Sequence, residues 1–183
     1  RYPEKKRNLA DYCMGQLAET TAAELVVCVA RTDQWKNRQK DMIAHFDSLD
    51  NKPPKGAYLY YNKIVPLAYT QGWFSVIGYL KKILFFLGGL SKVTPREPTS
   101  HADMRVWAHK STALACENLM LSLRAYGYDS CPMEGLDSSR VKGLLNLPRG
   151  AEICMVVSAG KRAPNGIFSK RVRMASGKFV FEV

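Results

Sequence analysis

The run from Leu25 to Ala30 is almost wholly apolar and largely β-branched. Such a run reads as a strand buried on both faces. Before it, "YPEKKRNLADYCMGQLAET" has helical spacing, and Pro3 suits the first turn of a helix reaching Thr20. After it, "TDQWKNRQKDMIAHFDSLD" predicts a further helix with Thr32 or Asp33 as its cap. "NKPPKG" ends that helix.

The pattern then changes. Tyr58, Tyr60, Tyr61 and Tyr69 precede Gln71, and from Gly72 the chain turns strongly apolar. On a helical wheel Ser75, Gly78, Lys82 and Gly89 share one stripe, with Lys81 at its edge. Trp73, Phe74, Ile77, Leu80, Leu84, Phe85 and Leu87 fill most of the remainder. The stretch is too short, and too interrupted by Lys81 and Lys82, for a membrane span. Three readings stay open: a buried or subunit-interface helix, a helix lying in a membrane surface through 72–93, and a lid over a ligand pocket.

The clearest helix follows in "TSHADMRVWAHKSTALACENLMLSLRAYGYD". Ser100 and Asp103 have capping-box spacing, and Val106, Ala113, Cys116, Leu119, Met120 and Leu123 keep helical periodicity. Asn118 falls among apolar residues and would need partners if buried. Gly127 is the expected stop. Past "CPMEG", Asp137 can cap the helix in "SSRVKGLLNL", and "AEICMVVSAGKR" reads as a second buried strand. "APNG" is a turn, and the alternation in "KFVFEV" predicts a last strand. Strands separated by long helices give a mixed sheet covered by helices. At 183 residues and 46% apolar composition, one domain suffices.

Charge narrows the partners less than it first suggests. The net charge is +11, spread from Lys5 to Arg173 rather than gathered in a tail. A solvated basic surface accounts for it. So do phosphate-bearing small ligands, nucleic acid or an anionic membrane face. No nucleic-acid recognition motif supports that class. The five cysteines are odd in number and lack any CxxC, which fits free thiols in a reducing, cytoplasmic compartment. The three histidines show no metal spacing. There is no phosphate loop, no dinucleotide fingerprint and no nucleophile with a base at a readable spacing, so any reactive group would be a cofactor.

Two short stretches could hold one. Arg171 and Arg173 project to the same side of an extended segment, and paired guanidiniums suit a phosphate. Pro132-Met133-Glu134-Gly135 combines a fixed φ with a residue that lets backbone approach a ligand closely. A solvated strand edge and an ordinary connection between helices are the plain alternatives.

From about Trp107 onward, the helix with Asn118, the Gly127 stop, "CPMEG", the "LLNLP" helix end, the "ICMVVSAG" strand and the basic pair before a final "EV" keep a specific order and spacing. In that order they resemble the second half of the FMN-dependent nitroreductases. "YPEKKRNLADYC…AELVVCVART" is also similar to that family's helix and strand beyond its N-terminal flavin-binding region. The resemblance implies an α+β fold with a mixed, mostly antiparallel sheet, a homodimer, and bound FMN reduced by NAD(P)H. Electron-poor acceptors such as nitroaromatics or quinones would then be reduced in turn. It implies that the amides of Glu134 and Gly135 approach the flavin near N5 and O4, with Pro132 and Met133 shaping the loop. Arg171 and Arg173 would hold the phosphate.

The family's "RRSxR" start and "SxxNxQPW" segment are absent from the 183 residues, and these supply further flavin contacts. The expectation is therefore a single domain over 1–183 without that segment, carrying an inserted apolar stretch over 57–95. A flavin-binding member with a structural or sequestering role is the alternative.

Overall fold

In the computed structural model, which describes residues 2–167 and 169–182, the first helix is broken in two. α1 (Pro3–Tyr12) stops where Met14 and Gly15 both turn left-handed, at φ 66° and 62°. α2 (Leu17–Thr20) follows as a single turn. Sequence spacing alone hides this break, because Met14 gives no warning of a positive φ.

β1 (Glu24–Arg31) leads into a tight turn over Thr32–Gln34 and then α3 (Trp35–Ser48). Neither Thr32 nor Asp33 caps α3. Asp33 instead accepts from Arg31 Nε and Nη2, both at 2.8 Å. Three short helical segments come next: α4 (Lys55–Leu59), a wide turn over Tyr60–Ile64, and α5 (Val65–Tyr69). α6 (Val76–Gly88) is entered through Phe74 and Ser75, both left-handed at φ 48° and 61°.

α7 (His101–Ala125) is the longest element. Ser100 Oγ accepts the amide of Asp103 at 3.0 Å, as the cap expects. The return bond is shifted by one residue, because Asp103 Oδ2 accepts the amide of Thr99 at 2.8 Å. At the far end Gly127 has φ 80°, and the amides of Gly127 and Tyr128 bond back to Arg124 O and Leu123 O at 3.1 and 2.9 Å. That double bond to the last turn is what a glycine stop permits. Asn118 is exposed and needs no buried partner.

β2 (Asp129–Met133), α8 (Ser138–Leu144) and β3 (Ala151–Gly160) complete the regular structure. Asp137 caps α8 by accepting the amide of Arg140 at 3.0 Å. The sheet runs β1-β3-β2, with β3 antiparallel to both neighbours. Among the described residues it is wholly antiparallel rather than mixed. β1 is an edge strand, so its apolar run is half covered rather than buried on both faces. Only β3, flanked on both edges, is buried along most of its length.

Helices cover both faces of the sheet. On one face Val156 and Met133, which are cross-strand partners, pack with Leu9 and Cys13 of the α1 region and Val141 of α8. On the other face Met155 and Val157 pack against Cys116 of α7. The alternation of Val156 with Met155 and Val157 is the two-residue period of a strand with both faces in use. This is an α+β fold. The last segment is extended, with one turn at Ser176–Lys178, and "KFVFEV" forms no strand among the described residues.

α6 is built against the wheel's expectation. Its buried stripe holds Gly78 and Lys81, whereas Lys82 is exposed. Lys81 is only 4% exposed and donates to Leu67 O at 2.8 Å, the last turn of α5. A cation at a helix C-terminus is favoured, and this contact turns the polar stripe inward. The apolar face is left outward, with Leu80 and Leu84 exposed and Trp73 and Phe74 at 85% and 81% just before it. Among the described residues no helix is long and apolar enough to cross a membrane.

Candidate functional site

The four residues singled out from "CPMEG" do not form one loop. Pro132 and Met133 are the last pairs of β2, opposite Val157 and Val156. Glu134 and Gly135 leave the sheet from that end. Sequence reading missed the strand because a proline within an exposed run argues against one; here it sits on the edge strand, where no ladder donor is required. Met133 is a core residue, buried against Leu9 and Val141. Pro132 and Glu134 are exposed.

Gly135 is open. A Cβ built there meets only Gln16 Nε2, at 3.9 Å. That nitrogen belongs to the turn between α1 and α2, which therefore borders the Glu134–Gly135 exit. One turn on, Glu19 is fully buried and neither carboxyl oxygen has a hydrogen-bond partner. Burial pushes the Glu19 carboxyl up, and the nearby Gln16 backbone and Cys13 thiol offset this only in part. Its neighbours titrate late as well. Burial and then the Glu19 charge raise the Cys13 thiol to about 11, and Cys131 is raised for the same two reasons. Sequence reading passed over Gln16 and Glu19. The signal was there in "GQLAE", where two polar residues share a helical turn that must pack on a strand.

The basic pair is only half assembled. Arg171 lines a hollow of about 760 Å³ with Arg162 and Lys170. Arg162 is anchored through Asp129, its Nε standing 3.7 Å from Oδ2. Arg173 does not line that hollow, and its Nη1 donates to Val172 O at 3.0 Å. The hollow lies by Asp129, where β2 begins, and Gly135 lies where β2 ends. Five residues at about 3.3 Å each separate the two.

A third cluster lies on the α7 side of the sheet. Arg105 Nε reaches both oxygens of Glu152 at 2.7 and 2.8 Å, and His109 Nε2 lies 3.0 Å from Oε2. Burial pushes the Glu152 carboxyl up, but hydrogen bonds and charge from Arg105 and His109 outweigh it and hold the group below the usual carboxylate range. His109, Lys110, Glu134 and Cys154 line an adjoining cavity of about 500 Å³. The sequence signal was Glu152, a lone charge in an apolar strand. No group of three or more ligating side chains among the described residues could hold a metal.

Comparison with known proteins bears on the family and the fold. The profile described as the Nitroreductase family matches residues 1–161. Protein DrgA of Synechocystis sp. is 42% identical over 87 residues, which is 48% of this chain and 40% of DrgA. A protein named NADH dehydrogenase from Thermus thermophilus is 38% identical over 68 residues, 37% of this chain and 33% of that protein. Each match spans less than half of the relative's own length. A structure from Exiguobacterium sibiricum, solved in complex with FMN, aligns with TM-score 0.64 at 18% identity. That alignment covers 100% of this chain and 73% of the other, and it carries the fold.

Proposed function

This chain belongs to the nitroreductase family, and from that premise we propose that it is an FMN-dependent NAD(P)H oxidoreductase acting on nitroaromatics, quinones or similar electron-poor acceptors. The observation that carries the reading is the family match over residues 1–161. Gly135 supports it by leaving backbone open to a ligand, since a Cβ there would meet only Gln16 Nε2 at 3.9 Å. The basic hollow with Arg162, Lys170 and Arg171 suits the phosphate.

The residues present therefore fit FMN in chemistry. The amides of Glu134 and Gly135 would orient the ring, with Pro132 and Met133 holding that backbone in the sheet. Arg171 would hold the phosphate, and Arg173 is assigned there with it on the strength of the family resemblance. When bound, FMN supplies two-electron hydride chemistry between a nicotinamide donor and the acceptor. The protein contributes position and electrostatics, since a fixed donor at the redox centre is already aligned when charge develops.

The homodimer is part of this proposal. The outward face of α6 exposes Leu80 and Leu84, with Trp73 and Phe74 just before it, and a second copy would cover these side chains. The reading is tested on the full-length protein by FMN titration followed by NAD(P)H and a quinone. Flavin bound and cyclically reduced supports it. Flavin bound but never reduced favours the sequestering alternative.

A further inference from the structure

The cavity beside α7 is left unused by the flavin-facing residues. It takes in Arg105, His109 and Lys110 from one helix, Glu134 from the exit of β2, and Cys154 from β3. It thus opens onto the same Glu134 whose backbone borders the Gly135 site. His109 is the one imidazole of the set, and its ring is held in place by Glu152. Glu152 stays ionised and accepts from Nε2 at 3.0 Å, and Arg105 clamps Glu152 through both oxygens. An ionised carboxylate on one ring nitrogen fixes the orientation of the imidazole. The bond engages Nε2, and among the described residues Nδ1 has no hydrogen-bond partner. The Cys154 thiol donates to His109 O at 3.7 Å, tying that turn of α7 to β3.

We propose that His109, positioned by Glu152 and Arg105, is the proton donor to an electron-poor acceptor bound in the cavity it shares with Lys110, Glu134 and Cys154. This rests on the reading of the chain as a reductase. Converting a quinone to a hydroquinone takes two electrons and two protons. Hydride, which the proposed function supplies, brings both electrons and one proton. The second proton leaves Nδ1 for the acceptor oxygen as the O–H bond forms, and solvent returns it to the ring. An ionised carboxylate such as that of Glu134 can only accept, and an ammonium is a weaker acid than an imidazolium. Lys110 and Arg105 add positive charge where the acceptor oxygen becomes negative, while Glu134 and Glu152 oppose it.

The test compares two acceptors in the full-length protein. Ferricyanide takes one electron and no proton, whereas a quinone needs the proton. His109→Asn and His109→Gln should each lower the ratio of quinone to ferricyanide turnover by about 100-fold. Glu152→Gln should lower it less. A second arm needs no flavin and no turnover. 4-Nitrophenol bound to the parent protein should titrate at lower pH than free nitrophenol, because a hydrogen bond donated by the ring to its oxygen favours the phenolate. His109→Asn should abolish that shift. An unchanged ratio, failure of nitrophenol to bind, or the same titration with and without His109 overturns the proposal. A parent protein that shifts nitrophenol but never reduces ferricyanide defeats the reductase reading and still supports the proton donor.

Discussion

The buried Glu19 carboxyl stands beside the Cys13 thiol, whose pKa its charge helps to raise. The Glu19 pKa is raised by burial, so the folded state holds a proton that the unfolded chain releases. Above the ordinary carboxylate pKa of about 4.3 the unfolded state therefore binds fewer protons, and stability falls as pH rises through the raised folded value. Urea midpoints should decline as pH rises above about 4.3, where the unfolded carboxyl ionises, in the parent protein without flavin. Glu19→Gln should flatten that decline. A variant that keeps the decline would assign it elsewhere.

Glycine positions should separate sharply. A Cβ on Gly78 would run into Thr99 O and lie 2.7 Å from Gln71 Oε1, so α6 can approach the segment before α7 only with glycine there. Gly78→Ala should cost about 1–3 kcal/mol in thermal or chemical unfolding. In α8, Gly143 has nothing within 4 Å of its Cβ position. Gly143→Ala should stabilise by about 0.5–1 kcal/mol.

The α6 face should decide oligomeric state. Leu80→Glu with Leu84→Glu places charge on the outward stripe and should convert a dimer to a monomer in sedimentation velocity. Lys81→Glu should instead lower stability, because it sets a buried carboxylate against the carbonyls of Leu67 and Ala68. Lys82→Glu, on the exposed side, should do neither. Sedimentation of the parent with anionic liposomes, abolished by the Leu80/Leu84 changes, would give that face to a membrane surface instead.

The fold was legible where one face of an element decides its fate. β3, the α7 cap, the Gly127 stop and the Asp137 cap all follow from local pattern and chemistry. The break at Met14, the edge position of β1, and β2 did not, because each depends on what lies across space. The inward turn of Lys81 is the sharpest case. A wheel weighs hydrophobicity by residue, whereas the Leu67 carbonyl it caps is 14 residues away in sequence. The site was half legible. "CPMEG" marked where β2 ends, but Gln16, Glu19 and the His109–Glu152 pair come together only through the sheet.

Glu134 and Gly135 should differ in kind. A Cβ on Gly135 meets only Gln16 Nε2 at 3.9 Å, so Gly135→Val should fold normally and bind FMN at least tenfold more weakly, about 1.4 kcal/mol. Glu134→Gln keeps the backbone and should leave FMN affinity largely intact. The reverse order would mean that the carboxylate, not the backbone, meets the flavin.

The measurement closest to the central claim is the visible spectrum of the purified full-length protein, followed through FMN titration, NAD(P)H and then a quinone. The account predicts a yellow protein that bleaches with NAD(P)H and regains its colour with the quinone. A colourless protein with no affinity for FMN would contradict it.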